Sequence, residues 1–360
     1  MQQETSEPTS IVSPDIAKII NDGQRLITFI AKDGDTELDP DVTRIIIDAK
    51  YKMSNNQWSA EDEEVFLINY DKLAKIVYPV TVESLHSIIP IYKGKKRLTT
   101  RAESAVTSYR RYTMFALILL LIGQVYWLCG HELQGNLINI MADRETLRTN
   151  LEDMEIDSAD RHGQLMKIEL VNQKLDANYK LLVLWNKAWS FGLEFSDTMP
   201  RYLQAEYESK KNRYDLDRNQ NTTALQELEL AKTLHQVRMV LFENTLSANF
   251  ILTTFQGYIL PLLYGLLGAL IFVLRSLMNE VKTMTYTPNS EIKFRLRLTL
   301  GALGGMIVGW FLKPDEANAI ASLSPMGLAF LMGYNVDLLF SIMDKAIDNI
   351  RKSIEAPAKR

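Results

Sequence analysis

Hydrophobic positions in this chain follow two regimes. In one, apolar residues recur at helical spacing among charged neighbours. In the other, they run for fifteen or more positions without a charge. The first regime opens the chain. After a polar stretch, 1–13, expected to be a disordered tail, Ser13-Pro14-Asp15 signals a helix start. Ile16, Ile19, Ile20, Leu26, Ile27 and Ile30 then share one face. "DPDVTRIIIDAKYKM" predicts a second helix, capped by Asp39 with Pro40 in its first turn. "WSAEDEEVFLINYDKLAKIV" predicts a third, with Ser59 as cap and Asp62 three positions on. Its inward face would be Phe66, Tyr70, Leu73 and Val77, and Pro79 ends it. Residues 14–111 therefore read as a small helical domain followed by a basic juxtamembrane segment.

Three long apolar runs are uncharged, and a fourth holds a single acid. "YTMFALILLLIGQVYWLCG", 112–130, has nineteen residues, about 28 Å of helix against roughly 30 Å of hydrocarbon. A second apolar segment covers 250–274, and a third, shorter one 298–312. In the fourth, 324–343, Ser324 reads as an N-cap and Pro325 as the first helical residue. Tyr126, Trp127 and Trp310 near run ends suit an interfacial belt.

Between the first two runs, 131–249, apolar positions return to a heptad frame: Leu133, Leu137, Ile140, Leu147, Leu151 and Met154, resuming at Leu165, Ile168, Leu175, Tyr179 and Leu182. Leu230, Leu234, Val237 and Leu241 mark a returning helix. Continuity of the frame favours one long hairpin. The competing arrangement folds back near 157–163 and 218–222. "LLVLWNKAWSFGLEF" carries Trp185, Trp189, Phe191 and Phe195. These would form a distal partner site in the long hairpin, and a buried core or interfacial belt in the folded-back one.

Charge orients the runs. Lys93, Lys95, Lys96, Arg97, Arg101, Arg110 and Arg111 precede the first, against one acid, Glu103. The loop 275–297 holds Arg275, Lys282, Lys293, Arg295 and Arg297, and the tail 344–360 is again basic. By the positive-inside rule these segments are cytoplasmic and 131–249 and 313–323 lie outside. The cluster Lys93–Arg97 with Arg110 and Arg111 is also an expected contact for anionic lipid. The fold expected from this pattern is all-α: a four-span transmembrane protein with an extracytoplasmic coiled-coil or helical-hairpin domain and a small cytoplasmic helical domain.

Two features of the later runs raise chemistry. Gly301, Gly305 and Gly309 fall at i, i+4 and i+8, a small-residue face that lets another helix approach closely. Asp337 stands inside the fourth run and shares a stripe with Ser341, Asp344 and Asp348. A carboxylate in a span is costly, and three readings are open. It forms a buried ion pair with Arg275 or Arg297, it lines a cation path between subunits, or it stays protonated beside Asn335.

Composition removes other functions. A net charge of −4 argues against a nucleic-acid binder. One cysteine, Cys129, permits neither an intramolecular disulfide nor a thiolate metal cluster. Residues 1–30 lack the pattern of a signal peptide, so entry through internal segments is expected. "HELQG" departs from a zinc helix at Gly135, "KGKKRLTT" lacks a P-loop's leading glycine, and "DGDTELDPD" has Leu38 where a calcium loop needs glycine. No catalytic constellation, metal or cofactor is expected. The expectation is a non-enzymatic protein of the bacterial inner membrane, with both termini cytoplasmic, assembling as a homo-oligomer among membrane lipids. It would act as a sensor or scaffold coupling an outer helical stalk, where a protein partner could dock, to the cytoplasmic domain. An oligomeric ion channel or depolarising effector and a polysaccharide chain-length regulator are the alternatives.

Overall fold

The computed structural model describes residues 13–33, 37–90, 92–93, 96–152, 159–189, 204, 208–209, 222–311 and 324–355. Helices α1 (Pro14–Asp33), α2 (Pro40–Ser54), α3 (Ala60–Val77) and α4 (Val82–Ile88) precede a minimal hairpin, β1 (Tyr92–Lys93) and β2 (Lys96–Arg97). There follow α5 (Arg101–Glu152), α6 (Ala159–Trp189) and α7 (Thr222–Thr254), then a π-helical turn (Phe255–Ile259). The last helices are α8 (Leu260–Lys282), α9 (Pro288–Phe311), α10 (Pro325–Tyr334) and α11 (Val336–Glu355). Contacts divide the chain into one unit of 1–114 with 269–300 and a second of 115–268 with 301–360.

In the first unit, local chemistry sets each helix start. Asp39 accepts from the Asp41 amide, and Ser59 and Asp62 form a reciprocal capping box. Thr81 with Ser84 does the same for α4. Thr100 and Glu103 exchange two bonds of 3.1 Å at the head of α5. The helices bury Ile20, Leu26, Ile46, Phe66, Leu73 and Leu85 in one core. Close crossing is helped by Gly23, where an added Cβ would stand 3.1 Å from Ile46 Cγ2. A second core joins Ala102, Ala105 and Tyr109 of α5 to Val273, Leu277, Tyr286 and Phe294.

In the second unit α5 and α6 run antiparallel. Asn178 Nδ2 donates to the Leu133 carbonyl at 3.0 Å, and Trp185 Nε1 to the Tyr126 carbonyl at 2.9 Å. With α7 they bury Leu137, Leu182, Trp185, Ala248, Ile251 and Phe255. The long continuous hairpin is thus corrected. The frame shared by 133–182 belongs to two helices packed side by side, because Asn178 and Trp185 of α6 bond back to Leu133 and Tyr126 of α5. A heptad pattern suits either arrangement, since both bury an a/d stripe.

The four-span topology is corrected too. Among the described residues, two helical stretches are long and apolar enough to cross a membrane, Arg101–Leu151 and Glu227–Lys282. In the first, 22% of the most apolar window is buried, and in the second 50%. A core helix of a soluble protein meets the same length and composition, so the two stretches are consistent with a membrane location and leave it open. The others fall short for physical reasons. In α9 the charges at Glu291, Lys293, Arg295 and Arg297 leave only 298–311 apolar, about 21 Å of helix. The run from Ser324 breaks at Asn335, whose φ of −126° and ψ of 84° are not helical. Its apolar part, α10, has ten residues, about 15 Å. The architecture is therefore all-α, with a two-residue hairpin and two long apolar helical stretches.

Candidate functional site

The tightest helix junction in the second unit is built on glycine. Gly257, Pro261 and Gly265 recur every fourth residue through the π-helical turn and α8. Gly301, Gly305 and Gly309 recur likewise along α9. The two rows run past each other in opposite directions. A Cβ on Gly309 would strike the Gly257 carbonyl and stand 2.9 Å from Pro261 Cγ. One on Gly305 would strike the Pro261 carbonyl and stand 2.8 Å from Gly265 Cα, and one on Gly265 would strike the Gly301 carbonyl. Each side chain removed lets the backbones approach by the width of a methyl group, the interaction that replaces hydrophobic drive between apolar helices. Helix α10 uses the same device. Gly268 faces the Phe330 carbonyl, and Gly333 faces Gly265. Around the junction Val308, Leu328, Ala329 and Met332 are buried.

Beside this junction the π-helical turn widens the helix. The Leu260 amide donates to the Phe255 carbonyl, five residues back. Such turns concentrate at functional sites. This one forms one wall of a cavity of about 510 Å³ whose other walls come from α5, α7, α8, α9 and α10.

Asp337 is placed differently from the span reading. It lies in the first turn of α11 and is exposed. An acid at a helix N-terminus is favoured by the macrodipole by about 0.3–1 kcal/mol. Ser341 and Asp344 are exposed on the same helix. So are Phe340, Met343 and Ile347, at 44%, 39% and 58% relative exposure. Arg275 is exposed, and the Arg297 guanidinium lies 4.0 Å from the centre of the Phe272 ring.

Of the aromatic cluster, Trp185 turns inward and Trp189 is exposed. The Tyr126 and Trp185 rings stack with centroids 4.6 Å apart, and the Tyr126 hydroxyl donates to the Trp185 carbonyl at 3.2 Å. Trp185 also fills the space that a side chain at Gly130 would need. Trp189 meets Phe255 edge-on at 5.1 Å. Phe191 and Phe195 lie outside the described residues. Polar groups seal this core: Asn186 donates to the Asn244 carbonyl at 2.9 Å, and Asn244 donates to the Tyr179 hydroxyl at 3.1 Å. Asn186 breaks the apolar heptad frame in sequence, and its polar role shows only in the packed bundle. The four-residue spacing of Gly257, Pro261 and Gly265 mirrors that of Gly301, Gly305 and Gly309 and is the sequence signal for the glycine junction.

Of the basic cluster, Lys93 and Lys96 pair across the hairpin, Arg97 forms an ion pair with Glu103, and Arg101, Arg110 and Arg111 are exposed. Lys95 lies outside the described residues. Among the described residues no group of three or more His, Cys, Asp or Glu side chains could hold a metal ion. His86 contacts Arg25 and lies 3.4 Å from Asp22. His131 stacks on Trp127 at 5.1 Å. No family model, curated protein or solved structure matches this chain.

Proposed function

We propose that this is a non-enzymatic membrane protein that couples a helical stalk on one side of a bacterial inner membrane to a helical domain on the other. The carrying observation is α5: fifty-two residues of uninterrupted helix, about 78 Å long. Its apolar centre points outward, with Phe115, Ile122, Val125 and Leu128 between 55% and 69% exposed. So much exposed aliphatic surface on one helix needs lipid or protein to cover it. Exposed Arg101, Arg110 and Arg111 precede it, the arrangement expected on a cytoplasmic face. In this reading α5 and the Glu227–Lys282 stretch cross the bilayer, the α5–α6–α7 bundle beyond it meets a protein partner or reports envelope state, and a rigid α5 carries the displacement inward. Assembly into a homo-oligomer would cover the exposed face of α11.

The test uses a Cys129→Ser background, since Cys129 is exposed. In right-side-out vesicles, Glu145→Cys should react with an impermeant maleimide and Lys293→Cys should react only after permeabilisation. Release of the chain by alkaline carbonate washing would sink the membrane reading altogether. Ion conduction through an oligomer is the alternative to coupling. A liposome cation-flux assay on purified protein separates the two.

A further inference from the structure

The cavity beside the π-helical turn has a lining that is chemically selective. Its volume, about 510 Å³, falls in the range of small-molecule sites. Among the described residues that line it, none is Asp, Glu, Lys, Arg or His. Three large rings, Trp127, Tyr258 and Trp310, make up much of the wall, and Tyr258 meets Trp310 edge-on at 6.1 Å. Polar groups come from Gln124, Thr253 and Gln256. The Trp127 indole N–H is out of water and has no acceptor among the described residues. A donor left in that state is a cost that a ligand acceptor removes.

We infer that this cavity binds an uncharged amphiphile, with a flat or acyl apolar body and a carbonyl or hydroxyl group at one end. Rings and Leu260 cover the body, and amide and hydroxyl groups orient the polar end. A charged ligand is disfavoured because no described lining residue carries an opposite charge to offset its desolvation. The site is separate from the coupling proposed for α5 and stands whether or not the chain crosses a membrane. Such a molecule reaches the cavity either from a bilayer, as an acyl ester or isoprenoid, or from solution, as a small neutral aromatic.

One position allows the cavity to be filled without breaking the fold. Among the described residues a Cβ on Gly257 meets nothing within 4 Å, although Gly257 lines the cavity. Gly257→Leu should therefore occupy the ligand's space while the melting temperature holds. Gly135→Leu, which also meets nothing within 4 Å but lies outside the cavity, is the control.

The probe is decylbenzoquinone, titrated into purified full-length protein and read by tryptophan quenching, since Trp127 and Trp310 stand in the wall. Saturable quenching in the parent and in Gly135→Leu, with only linear partition quenching in Gly257→Leu, is expected. Gln256→Met, nearly isosteric but without the amide, should weaken binding by about tenfold. It keeps the test decisive if Gly257→Leu does not fold. Monodecanoylglycerol as competitor reports a lipid source, and tailless benzoquinone a soluble one. Decanoate should not compete. Linear quenching alike in parent and all variants, or competition by decanoate as strong as by the glyceride, overturns the inference.

Discussion

Replacing Gly305 with alanine adds one methyl group where α8 and α9 touch backbone to backbone. The new Cβ would stand 2.8 Å from Gly265 Cα and 3.0 Å from Gly265 N, and closer still to the Pro261 carbonyl. Ordinary contact begins at 3.4 Å. None of these neighbours is a side chain that can rotate away, so the helices must part. Overpacking of this kind costs about 1–3 kcal/mol. Alanine returns up to about 1 kcal/mol through its higher helix propensity. The net loss expected is about 1–2 kcal/mol, or about 1–3 °C in melting temperature for a chain of this size. Gly135→Ala is the matched control: the same change in α5 with nothing within 4 Å. There only the propensity gain remains, and the protein should melt about 1 °C higher. The two variants should shift in opposite directions in thermal melts followed by circular dichroism. Hydrogen exchange should loosen over 257–268 in Gly305→Ala alone. If Gly305→Ala melts at or above Gly135→Ala, the glycine row is not a packing surface.

Three further outcomes are expected. Trp185→Ala should cost about 3–5 kcal/mol, because it empties the space beside Gly130 and breaks the stack on Tyr126; a change under 1 kcal/mol in denaturant titrations would contradict the burial. The Lys52 ammonium, followed by the Ser59 hydroxyl, holds the Asp62 carboxyl below the usual carboxylate range. Its stabilisation is present above the unfolded value of about 3.9 and is lost as pH falls through the lowered one; Asp62→Asn should flatten that acid limb in pH-dependent melts. Burial, with the Glu291 charge beside it, holds the Tyr286 phenol well above its ordinary value. That stabilisation is complete below about pH 10 and lost as pH rises towards the raised value. Tyr286→Phe should remove the alkaline limb, and an unchanged limb would show that Tyr286 does not titrate in the folded state.

Local signals were legible in the chain because their chemistry is complete within a few residues. Ser59 and Asp62 make the same capping box on paper and in space, and Asp39 caps α2 from one position before it. The inward face of α3 could be read through Phe66, Leu73 and Val77, since helical periodicity is a property of the segment alone. Gly301, Gly305 and Gly309 were legible as a face, but the face has meaning only with its partner, Gly257, Pro261 and Gly265, thirty-six or more residues earlier in the chain. Length on paper misled at Ser324, where uncharged residues continue past Asn335 but the helix does not, and so Asp337 begins a helix instead of interrupting one. The heptad frame misled similarly. Apolar positions spaced by three and four state that a stripe is buried, and only the bonds from Asn178 to Leu133 and from Trp185 to Tyr126 decide that α6 turns back along α5. The cavity was invisible in the sequence for the same reason: its walls come from separate stretches of chain, and an uncharged hollow leaves no periodicity. Sequence by itself determined the helices, their caps and their apolar faces, because those follow from near neighbours. Tertiary structure alone decided which faces meet, because pairing depends on backbone approach and on space left unfilled between distant segments.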